Sequence, residues 1–169
     1  MVAPTLKKII PNNLITLLVL GVAGVVMFFS AAQATSEQYQ KKNYFASTRA
    51  NKVNVRSGPS SHYQVKYVLN KKSIPLKVTA EFDNWNEIVD YSGGSGWVNK
   101  NLLTKKRFLI IQAPKPYIFL HKKKSIDSEK IVKIQNNVIV KFIECSQSWC
   151  QVEVEDYRGW IEKYNLWGD

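Results

Sequence analysis

The chain is poor in the residues that build metal and catalytic centres. Its 169 residues include two cysteines and two histidines, and neither histidine stands at finger-like spacing from the cysteines. Two cysteines alone cannot supply a four-ligand zinc site, so no metal and no cofactor are expected. His62 and His121 lie far apart in sequence with no evident nucleophile as a partner, which favours surface histidines. We therefore expect no enzymatic activity.

Acidic residues are also scarce. The chain has 13 Asp and Glu against 24 Lys and Arg, for a formal net charge of +11. The basic residues form short clusters at 41–42, 71–72, 105–107 and 122–124. Such a surface attracts anionic polymers or lipid head groups, and the simpler interpretation is a lysine-rich solvated surface without a dedicated site.

Charge is absent altogether from residues 14–29 near the N-terminus. Lys7 and Lys8 precede this apolar run and Ala32-Gln33-Ala34 follows it, a pattern typical of a secretory signal peptide. Cleavage after residue 34 would remove the charges of Lys7 and Lys8 and lower the net charge from +11 to +9. The alternative is an uncleaved hydrophobic helix that anchors the chain in the inner membrane, for which the run is short.

Export sets the expected surroundings of the rest of the chain. No cysteine lies near the cleavage site, which excludes a lipoprotein anchor. Residues 35–169 are predicted to be periplasmic or secreted, and an uncleaved N-terminal helix would be their membrane contact. Nucleic acid is excluded as a biological partner on the same ground, although a basic surface would bind it.

An internal repeat organises the exported part. Short alternating apolar runs are typical of half-buried strands, and Gly-rich segments such as 92–96 separate them. Matched positions, among them Trp85 with Trp149 and Gly96-Trp97 with Gly159-Trp160, are offset by 63 to 65 residues. With about five strands per copy, an all-β fold of two small barrels or sandwiches is predicted.

The first copy also carries the landmarks of a family. Val53-Asn54-Val55-Arg56-Ser57-Gly58-Pro59, followed by Gly96-Trp97-Val98, resembles the bacterial SH3 family, and the ending Gly159-Trp160-Ile161 resembles exported tandem members of it. The resemblance implies two tandem SH3-like barrels after the N-terminal signal or hydrophobic helix. In the second copy Phe119-Leu120-His121 replaces Asn-Val-Arg and no Ser-Gly-Pro follows, so that copy is degenerate and expected to be structural.

The domain boundaries follow from these landmarks. Residues 1–34 form the signal peptide or anchor and residues 35–43 a polar tether. Residues 44–112 form the first bacterial SH3 domain, 113–116 a Pro-rich linker, and 117–169 the second domain. Two domains of this size bury little surface alone, so we expect them to pack as a unit.

The resemblance further implies binding of peptidoglycan stem peptides or protein segments in a shallow aromatic groove. The candidate ligand-binding residues all lie in the first copy. They are Asn54, Arg56, Tyr63, Trp85, Tyr91 and Trp97. Barrel packing is the alternative role for Trp97, and a contact between the barrels is the alternative for Trp85. The function implied is a non-enzymatic envelope binding module, and the alternatives are a structural scaffold contacting another envelope protein or a secreted effector.

Cys145 and Cys150 are expected to form a disulfide, since both are exported and they flank a short loop over residues 146–149. Strict alternation would place the two side chains on opposite faces of the hairpin. A bulge near Glu144 would bring them together.

Overall fold

A computed structural model describes residues 39–169. The predicted signal peptide and the first part of the predicted tether lie outside these residues. Within them no helix is long and apolar enough to cross a membrane.

The described chain is all-β, as predicted, and forms two antiparallel sheets of seven strands each. The strands of the first sheet are β1 Gln40–Thr48, β2 Val53–Arg56, β3 Val65–Leu69, β4 Pro75–Phe82, β5 Trp85–Val89, β6 Ser95–Asn99 and β7 Leu103–Thr104. Those of the second are β8 Phe108–Ile111, β9 Tyr117–His121, β10 Lys130–Gln135, β11 Ile139–Ser146, β12 Trp149–Val154, β13 Tyr157–Glu162 and β14 Leu166–Trp167. A 3-10 helix precedes the last strand of each sheet, at Lys100–Leu102 and Lys163–Asn165.

The two sheets share one topology. The strand order is β3-β2-β6-β5-β4-β1-β7 in the first and β10-β9-β13-β12-β11-β8-β14 in the second, so each strand has a counterpart seven places later. The predicted repeat and the two tandem SH3-like barrels are confirmed. Each copy has seven strands rather than the five that the apolar runs indicated, because a first strand and a two-residue last strand join each sheet through pairings between distant segments.

The domain boundaries need correction. β1 begins at Gln40, inside the predicted tether, and its polar first half is held by pairing with β4. β8 was placed in the first domain but pairs with β11 and β14 of the second sheet. The segment 113–116 therefore connects β8 to β9 inside the second barrel and is not a linker between the domains.

The repeated Gly-Trp pair closes each sheet. β6 crosses β2 where Trp97 lies opposite Arg56, and β13 crosses β9 where Trp160 lies opposite His121. A Cβ on Gly96 would lie 2.6 Å from the Arg56 carbonyl oxygen. A Cβ on Gly159 would meet the His121 carbonyl oxygen at the same distance. Glycine is needed because the strand backbones approach so closely.

Each barrel has its own core of alternating inward side chains. The first contains Val53, Val55, Leu76, Val78, Ile88 and Val98, all fully buried. The second contains Leu109, Ile111, Leu120, Val140, Cys150, Val152 and Ile161. Each such aliphatic side chain contributes roughly 1.5–3 kcal/mol when buried, which leaves a core of this size only marginal against chain entropy.

The barrels support each other through direct contacts, as predicted. The rings of Phe45 and Trp167 meet edge to face with centroids 5.3 Å apart. The Arg107 guanidinium lies 5.7 Å from the centre of the Phe45 ring, and Ile139 packs against the first core. The side-chain amide of Gln112 donates to the carbonyl oxygen of Tyr91 at 3.1 Å.

Candidate functional site

The first barrel brings together part of the predicted site on the outer face of its sheet. Val53 and Val55 point into the core, so Asn54 and Arg56 point outward. On β6 the inward Gly96 and Val98 likewise leave Trp97 half-buried on the outer face, where it lies opposite both Arg56 and Glu87. Trp97 therefore lies outside the hydrophobic core of the first barrel.

Tyr63 joins this group through the loop between β2 and β3. Its ring lies directly on Gly58, where an added Cβ would come within 2.7 Å of the ring. Its carbonyl oxygen accepts a hydrogen bond from the Arg56 guanidinium at 2.8 Å. Arg56, Tyr63 and Trp97 thus share one end of the face.

Trp85 and Tyr91 lie outside this group. Trp85 is half-buried on the same outer face at the start of β5, opposite Asn99 and two residues along the strand from the Glu87–Trp97 pair. Tyr91 packs against the first core and borders the second barrel through its carbonyl oxygen. The structure thus groups Arg56, Tyr63 and Trp97, with Trp85 further along the same face and Tyr91 toward the second barrel.

The chain itself covers part of this face. The ring of Tyr39, in the predicted tether, meets the Trp97 ring edge to face at 6.2 Å. The Tyr39 hydroxyl donates to the Glu87 carboxylate at 3.1 Å, and Thr79 donates to the same oxygen at 2.9 Å. Desolvation and the Glu87 carboxylate raise the pKa of Tyr39, so the hydroxyl remains a donor at neutral pH.

A concave site lies in the second barrel instead. A groove of about 500 Å³ is bounded by the β8–β9 loop, β9 and the second 3-10 helix. Its lining residues include the aromatic side chains of Tyr117, Phe119 and Tyr164, with Pro114 and Pro116 in the loop. His121, Lys115, Lys130 and Glu162 add polar groups.

Asn136 holds the loop wall of the groove in place. Its side-chain nitrogen donates to the carbonyl oxygens of Ala113 and Lys115, both at 2.8 Å. Its side-chain oxygen accepts from the Ala113 backbone N–H at 2.9 Å. With two prolines limiting the backbone, this wall is ordered before any ligand arrives.

Two lysines contact the aromatic rings of the groove floor, Lys130 among the lining residues and Lys133 beside them. The rings of Tyr117 and Phe119 pack edge to face with centroids 5.8 Å apart. The Lys130 ammonium lies 4.6 Å from the centre of the Phe119 ring, and the Lys133 ammonium lies 3.6 Å from that of Tyr117. Both are cation–π contacts.

The opposite wall carries Tyr164, which is 69% exposed. Its hydroxyl donates to the Glu162 carboxylate at 2.9 Å, and this hydrogen bond is the main cause of a raised Tyr164 pKa. The hydroxyl is therefore protonated at neutral pH and can also accept a hydrogen bond.

The comparisons with known proteins bear on the family. The family model described as the bacterial SH3 domain matches residues 49–105 and 119–168, well over half of the chain. The chain belongs to the bacterial SH3 domain family. No curated protein matches the chain in sequence.

Two solved structures are similar to this tandem bacterial SH3 chain. The structure of NlpC2 from Trichomonas vaginalis is 12% identical, with a TM-score of 0.35 over 76% of this chain and 49% of that one. The structure of NlpC1 from the same organism is 13% identical, with a TM-score of 0.34 over 79% of this chain and 48% of that one. The chain thus spans about half the length of each.

Comparison of the two bacterial SH3 copies explains why sequence reasoning missed the groove. By strand register Tyr117 and Phe119 occupy the places of Lys52 and Asn54 in the first copy. Phe119-Leu120-His121 was interpreted as a degenerate motif, whereas it supplies an aromatic side chain to the groove. The available signal was alternation, since Tyr117, Phe119 and His121 share one strand face beside a proline-rich segment.

The predicted disulfide is present in the second bacterial SH3 domain. Cys145 and Cys150 are bonded and lie opposite each other on β11 and β12. The register shifts between Phe142 and Glu144, at the position of the predicted bulge. The loop is shorter than expected, since Ser146 pairs with Trp149.

This hairpin also borders the groove. The Trp149 ring meets the His121 ring edge to face, with centroids 5.7 Å apart. A carboxylate oxygen of Asp169 lies 3.5 Å from the Cys145 sulfur atom, but the disulfide leaves no thiolate there to bind a metal ion.

Proposed function

We propose that this chain is a non-enzymatic envelope binding protein whose second bacterial SH3 domain holds a peptide, from peptidoglycan or from a protein partner, in its aromatic groove. Bacterial SH3 domains are often cell-wall binding modules and typically belong to extracellular or envelope proteins. The observation that carries the proposal is the pre-ordered groove itself, which has Tyr117, Phe119 and Tyr164 on its surfaces.

The shape of the groove suits an extended peptide. Tyr117 and Phe119 are two residues apart on one strand, so they lie about 7 Å apart along it, the spacing of side chains i and i+2 in an extended ligand. Aromatic rings offer a large contact area at low cost in side-chain entropy. The proline loop and the exposed Tyr164 provide two walls between which such a segment can lie.

The polar groups of the groove support binding rather than catalysis. The His121 imidazole faces the Ser128 carbonyl oxygen at 3.3 Å and packs on Trp149. Glu162 accepts the hydrogen bond of Tyr164. Both groups are therefore engaged in contacts that hold the walls of the groove.

A retention assay on purified sacculi tests the proposal. The exported chain should bind at low salt, and the Tyr117→Ala/Phe119→Ala double variant should lose retention. Both side chains point away from the core, so the variant should stay folded, which circular dichroism checks. The matched control is Lys52→Ala/Asn54→Ala, which alters the equivalent positions of the first copy.

The outcomes separate the possible sites. If only the Tyr117→Ala/Phe119→Ala variant loses retention, the binding site lies in the second copy. Retention lost only in the Lys52→Ala/Asn54→Ala variant returns the site to the face predicted from the sequence. No retention of the unaltered chain would refute binding to the cell wall.

A further inference from the structure

We infer that the groove selects peptides that carry carboxylate groups, held by Lys130 and Lys133 while the peptide chain lies on Phe119 and Tyr117. This inference deepens the proposed function and rests on it. It rests on the cation–π contact that each of the two floor rings makes with one lysine ammonium group.

A bulge puts the two lysines on the same face. Residues three apart on a regular strand point to opposite faces. On β10 the register shifts between Lys130 and Val132, so Lys130 lies opposite His121 and Lys133 lies opposite Phe119. Both ammonium groups therefore stand over the outer face of β9.

The two lysines are free to accept an anionic ligand. Among residues 39–169, Lys122 is paired with Glu129 at 2.7 Å, whereas Lys130 and Lys133 have no carboxylate within 4.0 Å. An ammonium over a ring face still has N–H donors that point away from the ring. The ring contact restrains the lysine, so less side-chain entropy is lost when a carboxylate binds.

The first copy lacks this arrangement entirely. By register, Val65 and Val68 take the places of Lys130 and Lys133, and Asn54 takes the place of Phe119. The second copy therefore carries both rings and both lysines, whereas the first has neither ring and has valine at both lysine positions. Rings and lysines occur together, as a shared role in one binding site requires.

Matched pairs of probes test the inference by isothermal titration. The first pair is a disaccharide-tetrapeptide released from sacculi by a muramidase, and the same muropeptide with its carboxyl groups amidated. The second pair is the capped peptide Ala-Glu-Ala-Glu-Ala and its Gln counterpart, which carry the i, i+2 side chains without any glycan. For any probe that binds, we expect the carboxylate form to bind about tenfold more tightly than its neutral counterpart. Two exposed ion pairs, each of which raises the affinity only a few-fold, account for this factor.

Variants assign the effect to the two lysines. Lys130→Gln/Lys133→Gln should remove the difference between the two forms of a pair. Lys71→Gln/Lys72→Gln removes the same charge from an exposed turn of the first barrel and should preserve it. If this control variant loses the preference equally, net charge alone explains it and the inference fails.

The outcomes distinguish the inference from the proposed function. Muropeptide binding that amidation leaves unchanged would overturn the inference and leave the proposed function standing. Binding of the acidic peptide alone would support the inference with a protein as the source and refute the cell-wall ligand. Binding of no probe in either form would overturn both.

Discussion

Reduction of the Cys145–Cys150 disulfide should destabilise the second barrel and weaken its groove. The bond joins adjacent strands of the β11–β12 hairpin, and Cys150 is completely buried in the second core. The equivalent positions of the first barrel, Glu81 and Asn86, are paired on β4 and β5 without a covalent link. The disulfide is therefore a stabilising element that only the second copy has.

The magnitude follows from the size of the closed loop. The cysteines are separated by 5 positions. Closing so short a loop in the unfolded chain is worth about 2 kcal/mol. For a two-barrel unit of this size, that loss corresponds to a fall of roughly 5–10 °C in melting temperature. Trp149 adjoins Cys150 and contacts His121 in the groove, so fraying of the hairpin should also weaken peptide binding a few-fold.

Urea unfolding followed by circular dichroism, with and without a phosphine reductant, measures the effect. The control is Cys145→Ala/Cys150→Ala, whose unfolding curve should not respond to the reductant. If reduction shifts the free energy of unfolding of the unaltered chain by less than about 0.5 kcal/mol, the entropic reasoning is refuted. A shift of equal size in the control would mean that the reductant acts elsewhere.

Three further predictions concern acid stability, the contact between the barrels and processing. Burial pushes the pKa of Asp90 up, but donors led by the Ser92 hydroxyl hold it below the ordinary 3.8. The free energy of unfolding should therefore fall as the pH drops from about 3.8 through the lower pKa that Asp90 has in the folded chain. Asp90→Asn should remove this part of the pH dependence. Phe45→Ala should lower the free energy of unfolding by about 1 kcal/mol through loss of its edge-to-face contact with Trp167, and an unchanged urea midpoint would contradict this. N-terminal sequencing of the exported chain should return Thr35, and Met1 would instead show an uncleaved anchor.

The features that could be predicted from the sequence are those determined by residues close to one another along the chain. Strand β5 alternates as expected, with Asn86 and Ile88 buried and Trp85 and Glu87 half-buried on the other face. The cysteine pair and its bulge followed from counting positions around a hairpin. The repeat could be recognised because a Gly-Trp pair occurs at the equivalent position of each copy. Its glycine allows the close crossing of strands, as at Gly96.

The features that sequence did not predict depend on pairing between distant segments. Nothing local indicates that β8 pairs with β14 rather than with a strand of the first barrel. The prolines at 114 and 116 favour a connector in any setting, so they did not reveal whether it joins two domains or two strands. Similarly, the contact of Lys130 with the Phe119 ring depends on a bulge between Lys130 and Val132 that the alternation of residues in β10 does not show.

The two copies show how one barrel can keep its fold while its outer face changes. The inward residues, the Gly-Trp closure and the 3-10 helix recur in both copies, since the core and the strand crossing require them. Outward positions are free of that requirement, and there Lys52 and Asn54 of the first copy correspond to Tyr117 and Phe119 of the second. Departure from a family motif on an outward face is therefore weak evidence for loss of function. In this chain the copy that departs further has the groove, and the copy that keeps the motif has part of its outer face covered by Tyr39.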